Sequence, residues 1–158
     1  MSLDDRTFLL RAVDLSRTRM LANAGGPFGA LVVREGKVLA EGWNEVTSSN
    51  DPTAHAEVRA IRKACEAVSS FQLQGATLYS SCEPCPMCLA AAYWARVGRI
   101  VFAADRVDAA KVGFDDAYLY DEIPKPVAAR ALPTLHLPLQ EAVDVFAAWH
   151  AKPDRVDY

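Results

Sequence analysis

The sequence predicts an α/β domain of three layers, α/β/α: a central mixed sheet of about five strands with helices on both faces. Three observations point there. Strand-like runs alternate with helix-like runs of ten or more residues, the pattern of βαβ units. The length, 158 residues, fits one domain. A domain of that size buries roughly 70% of the surface its unfolded chain exposes, and so needs no disulfide. Hydrophobic residues make up 51% and charged residues 23%, ordinary for a globular chain.

The elements follow in order. Phe8, Leu9, Ala12, Val13, Leu15, Ser16 and Met20 recur near helical spacing, which predicts an amphipathic helix over 3–24, stopped by Gly25-Gly26-Pro27. Strands are predicted at 30–34 and 37–44, joined at Glu35-Gly36 as in a tight hairpin. Residues 46–52 read as polar loop, and Thr53 as the N-cap of a helix over 54–68. Gly75 opens a strand at 76–80 that runs into a cysteine-rich loop. Pro86 then suits the first turn of a helix reaching Arg96. A buried strand follows at 99–104, then an irregular stretch over 106–126 with a short helix around Tyr118. A last strand is expected at 135–137 and a last helix at 139–150. Residues 1–151 read as one domain and 152–158 as a C-terminal tail.

Several classes are disfavoured. The chain begins Met1-Ser2-Leu3-Asp4-Asp5, without the basic and apolar regions of a secretory leader. No apolar run approaches the ~20 residues that span a bilayer, so no membrane partner is expected and the cytoplasm is the expected compartment. A net charge of −3 argues against a nucleic-acid partner, which calls for a basic face. Of the four cysteines, three fall within seven residues, which suggests a metal rather than disulfides.

His55-Ala56-Glu57 and Pro84-Cys85-Pro86-Met87-Cys88 carry the chemistry. His55, Cys85 and Cys88 offer one imidazole and two thiolates, a ligand set for Zn²⁺ that leaves the fourth tetrahedral position to a water or hydroxide. Glu57, two residues from the histidine, is placed to handle that water's proton without being a ligand. Cys85 and Cys88, three apart, share a helix face, and a helix N-terminus favours thiolate. The competing reading is a closed structural site of Cys82, Cys85, Cys88 and His55, which leaves Glu57 without a role. Cys65 reads as a buried inert thiol, and His136 and His150, without ligand-spaced partners, as structural.

The H-x-E…P-C-x-x-C pattern resembles that of zinc-dependent nucleobase deaminases. With Gly26-Pro27-Phe28-Gly29-Ala30, the run from Asn50 to Glu57 and the run from Ser81 to Cys88, nearly the whole chain is similar to the cytidine deaminase superfamily. Within it, the match is to the branch of tRNA adenosine deaminases and small bacterial guanine deaminases. Tyr93-Trp94-Ala95-Arg96, Asp108-Ala109-Ala110, Gly113-Phe114-Asp115-Asp116 and an acidic, aromatic ending, Asp157-Tyr158, resemble the guanine deaminases.

That resemblance implies a cytidine-deaminase-like fold, one zinc ion per subunit and hydrolysis of guanine to xanthine and ammonia. It implies that Phe28 stacks on the purine and Asn44 hydrogen-bonds one edge. Asp116 would accept from the N–H donors of guanine, which adenine, lacking N1–H, cannot match. Spacing alone does not choose between Asp115 and Asp116; the resemblance picks the second. Trp94, six residues past Cys88, reads either as a pocket wall or as a core aromatic. In the resembling enzymes the C-terminal segment swaps between the subunits of a homodimer, which implies that Tyr158 covers the partner's substrate; the alternative is a frayed terminus. Deamination of another base or nucleoside (cytosine, isoguanine, guanosine, or adenosine in tRNA) is the alternative activity, and a zinc-stabilised binding module the alternative class.

Overall fold

The computed structural model describes residues 3–158; Met1 and Ser2, part of the start read above as carrying no leader, lie outside the described residues. Helix α1 (Leu3–Leu21) buries Asp5, Leu9, Ala12 and Ser16, steps of four, three and four that keep one face on the sheet. A buried carboxylate in such a stripe needs partners. Asp5 receives the Tyr79 hydroxyl at 2.7 Å and the Arg99 guanidinium at 2.6 and 3.3 Å.

Strands β1 (Gly29–Arg34) and β2 (Lys37–Trp43) form the expected hairpin. Glu35 and Gly36 at its tip have φ of 53° and 72°, the left-handed pair that a type I′ turn needs. Beyond it the loop read over 46–52 contains one helical turn, α2 (Val46–Ser49). Helix α3 (Ala56–Ala67) starts two residues later than expected, with His55 rather than Thr53 as its N-cap. Thr53 is drawn elsewhere, because its hydroxyl and backbone N–H both donate to Asp51 Oδ1, at 2.7 and 2.8 Å.

Strand β3 (Thr77–Cys82), helix α4 (Pro86–Trp94) and strand β4 (Arg99–Ala104) make a βαβ unit. The sheet runs β2-β1-β3-β4, with β3 and β4 parallel and the other pairs antiparallel. Alternation sorts the residues of β1 between layers. Ala30 and Val32 pack with Ala56, Ala60, Ile61, Ala64 and Leu78 beneath α3, whereas Leu31 and Val33 pack with Leu9 and Ala12 of α1. Two glycines set the helices close. A Cβ on Gly29 would stand 2.4 Å from Ala12 O of α1, and one on Gly42 would stand 2.2 Å from Ala56 O of α3.

The three layers are as expected, but among the described residues the sheet has four strands rather than about five. Residues 135–137 form no strand: Pro133 and Pro138 bracket them, and Leu135 and Leu137 are 88% and 73% exposed. Nor is β4 a buried strand. It lies at the sheet edge, with Arg99, Phe102 and Ala103 exposed. The stretch read as irregular holds α5 (Arg106–Ala110), capped by Asp105 accepting from Asp108 N, and α6 (Ala117–Glu122).

The chain divides into two compact units, Met1–Leu119 and Tyr120–Tyr158. The first contains the sheet. The second holds a 3₁₀ turn (Val127–Ala129) and helix α7 (Gln140–Ala151), and its loop is tied by Ala131 N donating to Glu122 Oε2 at 2.7 Å. None of its described residues is buried. No described helix is long and apolar enough to cross a membrane.

Candidate metal and substrate site

His55 is the N-cap of α3 and Cys85 the N-cap of α4, with Pro86 as the first helical residue and Cys88 in the first turn. Neither cap side chain accepts from its own helix. Both turn instead toward one point: His55 Nδ1 lies 3.5 Å from Cys85 Sγ and 3.5 Å from Cys88 Sγ, and the sulfurs are 3.6 Å apart. A tetrahedral Zn²⁺ with Zn–S about 2.3 Å and Zn–N about 2.05 Å would put its sulfurs about 3.8 Å apart and sulfur and nitrogen about 3.6 Å apart. The three donors therefore fit a zinc ion by spacing as well as by type, and they form the one such group found among the described residues. Two helix N-termini add positive potential there.

The charges are arranged to match. The sulfur–sulfur contact with Cys88, with the His55 imidazole beside it, holds the Cys85 thiol well below its usual range. The same contact and burial push Cys88 up. The Cys85 contact raises His55. Cys82 does not join this group. Its Sγ lies 3.7 Å from Asp105 O, and burial above all pushes its thiol up to about 11. Cys82 points into the β3–α5 junction, away from the point on which His55, Cys85 and Cys88 converge.

Glu57, in the first turn of α3, is 5% exposed, and burial raises its carboxyl above the usual range. The Ser80 hydroxyl donates to Glu57 Oε1 at 2.8 Å. Ser80 was not singled out from sequence; the available signal was a polar residue at an inward position of a predicted strand.

Glu57, His55 and Cys85 line a cavity of about 250 Å³ with Gly26, Phe28, Asn44, Val46, Thr47, Glu83, Phe114 and Asp116. Ligand cavities usually run from roughly 300 Å³ upward, so this one suits a small heterocycle. Phe28 and Asn44 meet across the open end of the hairpin, where Asn44 N donates to Phe28 O at 3.1 Å. Asn44 Oδ1 accepts from Gly26 N and Val46 N, each at 3.2 Å. Two N–H donors identify that atom as the oxygen and leave the amide N–H₂ to serve a ligand. Phe114 stands edge-on to Phe28, with ring centroids 4.8 Å apart.

Of the two aspartates, Asp116 reaches the cavity, and burial followed by the Cys85 charge raises its carboxyl. Asp115 is used locally, accepting from Ala117 N at 3.1 Å. The segment carrying Phe114 and Asp116 is anchored where Glu83 accepts from Arg106 N and pairs with its guanidinium.

Two expected residues are not among those lining the cavity. Trp94 is 62% exposed at the end of α4. Six residues past Cys88 is about 240° around the helix, which turns it away from the metal face. Tyr158 belongs to the second unit, where it is 72% exposed. Sequence reasoning gave no role to Phe114, Glu83, Thr47 or Ser80, although Phe114 and Glu83 stood inside quoted motifs.

Residues 2–104 match the family described as the cytidine and deoxycytidylate deaminase zinc-binding region. The chain is 50% identical over 156 residues to the guanine deaminase of Bacillus subtilis (strain 168), covering 99% of this chain and 100% of that protein. It is 32% identical over 127 residues to a tRNA-specific adenosine deaminase of Aquifex aeolicus (strain VF5), covering 80% of this chain and 81% of that one. The X-ray structure of guanine deaminase from Bacillus subtilis superposes with a TM-score of 0.95 at 50% identity, over 100% of this chain and 99% of that chain.

Proposed function

This chain belongs to the cytidine and deoxycytidylate deaminase family, and we propose that it hydrolyses guanine to xanthine and ammonia, holding one zinc ion per subunit on His55, Cys85 and Cys88. The observation that carries the reading is one cavity with two kinds of wall. One wall presents Glu57 beside the metal-ligand group; the other presents Asn44, Phe28, Phe114 and Asp116 around a recess of base size. Likeness to a guanine deaminase along the full length supports the choice of base.

His55, Cys85 and Cys88 would hold a zinc ion, whose chemistry would be to acidify a bound water toward neutral pH and so supply a nucleophile. The residues do the rest. Phe28 and Phe114 hold the purine plane. The Asn44 amide N–H₂ donates to a base acceptor, and the Asp116 carboxylate accepts from the N–H donors that distinguish guanine from adenine. Glu57 takes a proton from the attacking water, gives it to a ring nitrogen, and later transfers a proton to the departing amine. The C2–N bond breaks, ammonia leaves, and the water oxygen remains as the new carbonyl.

The protein acts as a homodimer, and its tail over 152–158 crosses to the partner subunit, where Tyr158 covers the substrate. The exposure of Leu132, Leu135, Leu137 and Phe146, each above 70%, supports a second copy over this part of the chain. Trp94 is not assigned to the base.

Ammonia release from a panel of guanine, adenine, cytosine, isoguanine, guanosine and tRNA tests the activity. Guanine alone, or guanine far above the rest, is expected, with xanthine as product. Release from tRNA that falls steeply with added salt would overturn it.

A further inference from the structure

We propose that Ser80 is a positioning residue for Glu57, assigning one carboxylate oxygen to the scaffold and leaving the other to move protons. The inference rests on the role given to Glu57 above. Strand β3 sends Leu78 and Ser80 to the layer of α3 and α4, while Tyr79 on the opposite face meets Asp5. Ser80 is paired with Ala30 in the sheet, and the layer around it is built of Ala30, Val32, Ala56, Ala60 and Leu78. A hydroxyl there is 1% exposed and has given up its water. An alanine would fill such a position at no desolvation cost.

What the hydroxyl gains is Glu57. Its proton goes to Oε1 at 2.8 Å, across 23 residues of chain, and its oxygen accepts from Cys82 N at 3.5 Å. The bond joins a central strand to the first turn of α3, two elements already fixed by the sheet and by the close approach at Gly42. With its one proton given to Oε1, Ser80 can remain a donor to that oxygen whether Glu57 is charged or protonated, provided the mobile proton sits on the other oxygen. That second oxygen is then the one that forms an O–H bond as water loses its proton. The same bond breaks when the proton passes to the purine nitrogen. Without Ser80 the carboxyl keeps its contacts with its own backbone N–H and with Cys88 but loses the one donor that assigns Oε1 to the strand, and either oxygen can carry the proton.

The test is a double-mutant cycle read on whichever base the parent protein deaminates. A failure of guanine as substrate thus shows in the parent, and a failure of Ser80's role shows only in the variants. Ser80→Ala is expected to lower kcat by about ten- to a hundredfold, the range for a buried hydrogen bond to a charged group. KM should stay within about twofold, with zinc content close to the parent's. Ser80→Thr, which restores the hydroxyl, should recover most of kcat. In a Glu57→Gln background, Ser80→Ala should have little further effect, because the group it positions is already disabled. Ser80→Cys keeps the volume with a weak donor and should fall between Ser and Ala; it replaces either variant that does not fold. A full additional loss in the Glu57→Gln background, a loss confined to KM, or unchanged kcat in Ser80→Ala would overturn the assignment.

Discussion

Two regions meet in the cavity, and they are built differently. Glu57, His55, Cys85 and Cys88 occupy the first residues of two helices packed on the sheet, and all but His55 are buried. Asn44, Phe114 and Asp116 ride on a strand end and on the segment after α5, where Phe114 is 39% exposed and Asp116 half-buried. The first region is held from below by backbone packing, the second by side-chain ties such as Glu83 to Arg106. Proton transfer demands placement to a few tenths of an ångström, whereas recognition of a flat ring tolerates adjustment. The division teaches that the reaction belongs to the frame and the choice of base to the attached segments.

Substitutions on the two sides should therefore fail in different ways. Glu57→Gln keeps the shape and removes the proton carrier; kcat should fall by about 10³-fold with zinc content and KM nearly unchanged. Near-normal turnover would remove Glu57 from the reaction. On the other side, Asp116→Asn should cost about 10² in kcat/KM for guanine while the zinc stays bound, because an amide cannot accept as a carboxylate does. If Asp116→Asn instead lost metal, the two regions would not be separable.

Deleting residues 153–158 should reduce kcat/KM by about tenfold with the fold intact, the loss of a cover rather than of chemistry. Unchanged kinetics would sink the proposed covering role of Tyr158. The smallest effect at neutral pH is expected from Cys82→Ser, which should keep zinc and activity. Its signature lies in alkali: a thiol raised to about 11 in the fold favours the folded state below its ordinary value of 9 and loses that contribution as pH rises through 11. The parent should lose about 3 kcal/mol of stability across that window, by the linkage of pKa to folding, and the serine variant should not. Zinc loss from Cys82→Ser would revive the closed four-ligand site.

How far the sequence could be read follows the same division. His55-x-Glu57 and Cys85-x-x-Cys88 are legible because their geometry is local: each pair sits within one helix start, and ligand chemistry restricts the residue types. Ser80 was hidden because its partner lies 23 residues away, and only strand pairing and the facing of β3 bring the two together. The choice of Asp116 over Asp115 needed the turn at Ala117, which consumes the first carboxylate. Thr53 misled as a cap because Asp51 competed for its hydroxyl. At 135–137 an apolar alternation suggested a strand, but the flanking Pro133 and Pro138 carried more weight than the alternation.

Gly42 sets a condition on any attempt to retune this molecule. The clearance between β2 and the start of α3 is maintained by a missing atom, and a side chain as small as alanine's would meet backbone rather than something that can swing aside. Lifting α3 by even part of an ångström would carry His55 and Glu57 away from Cys85 and Cys88 together, so the damage would arrive at the cavity from the opposite strand. A library aimed at new substrates can vary the recess freely at Thr47, Phe114 and Asp116. It should treat Gly42 as a fixed gauge, since loss there would register as inactivity toward every base at once.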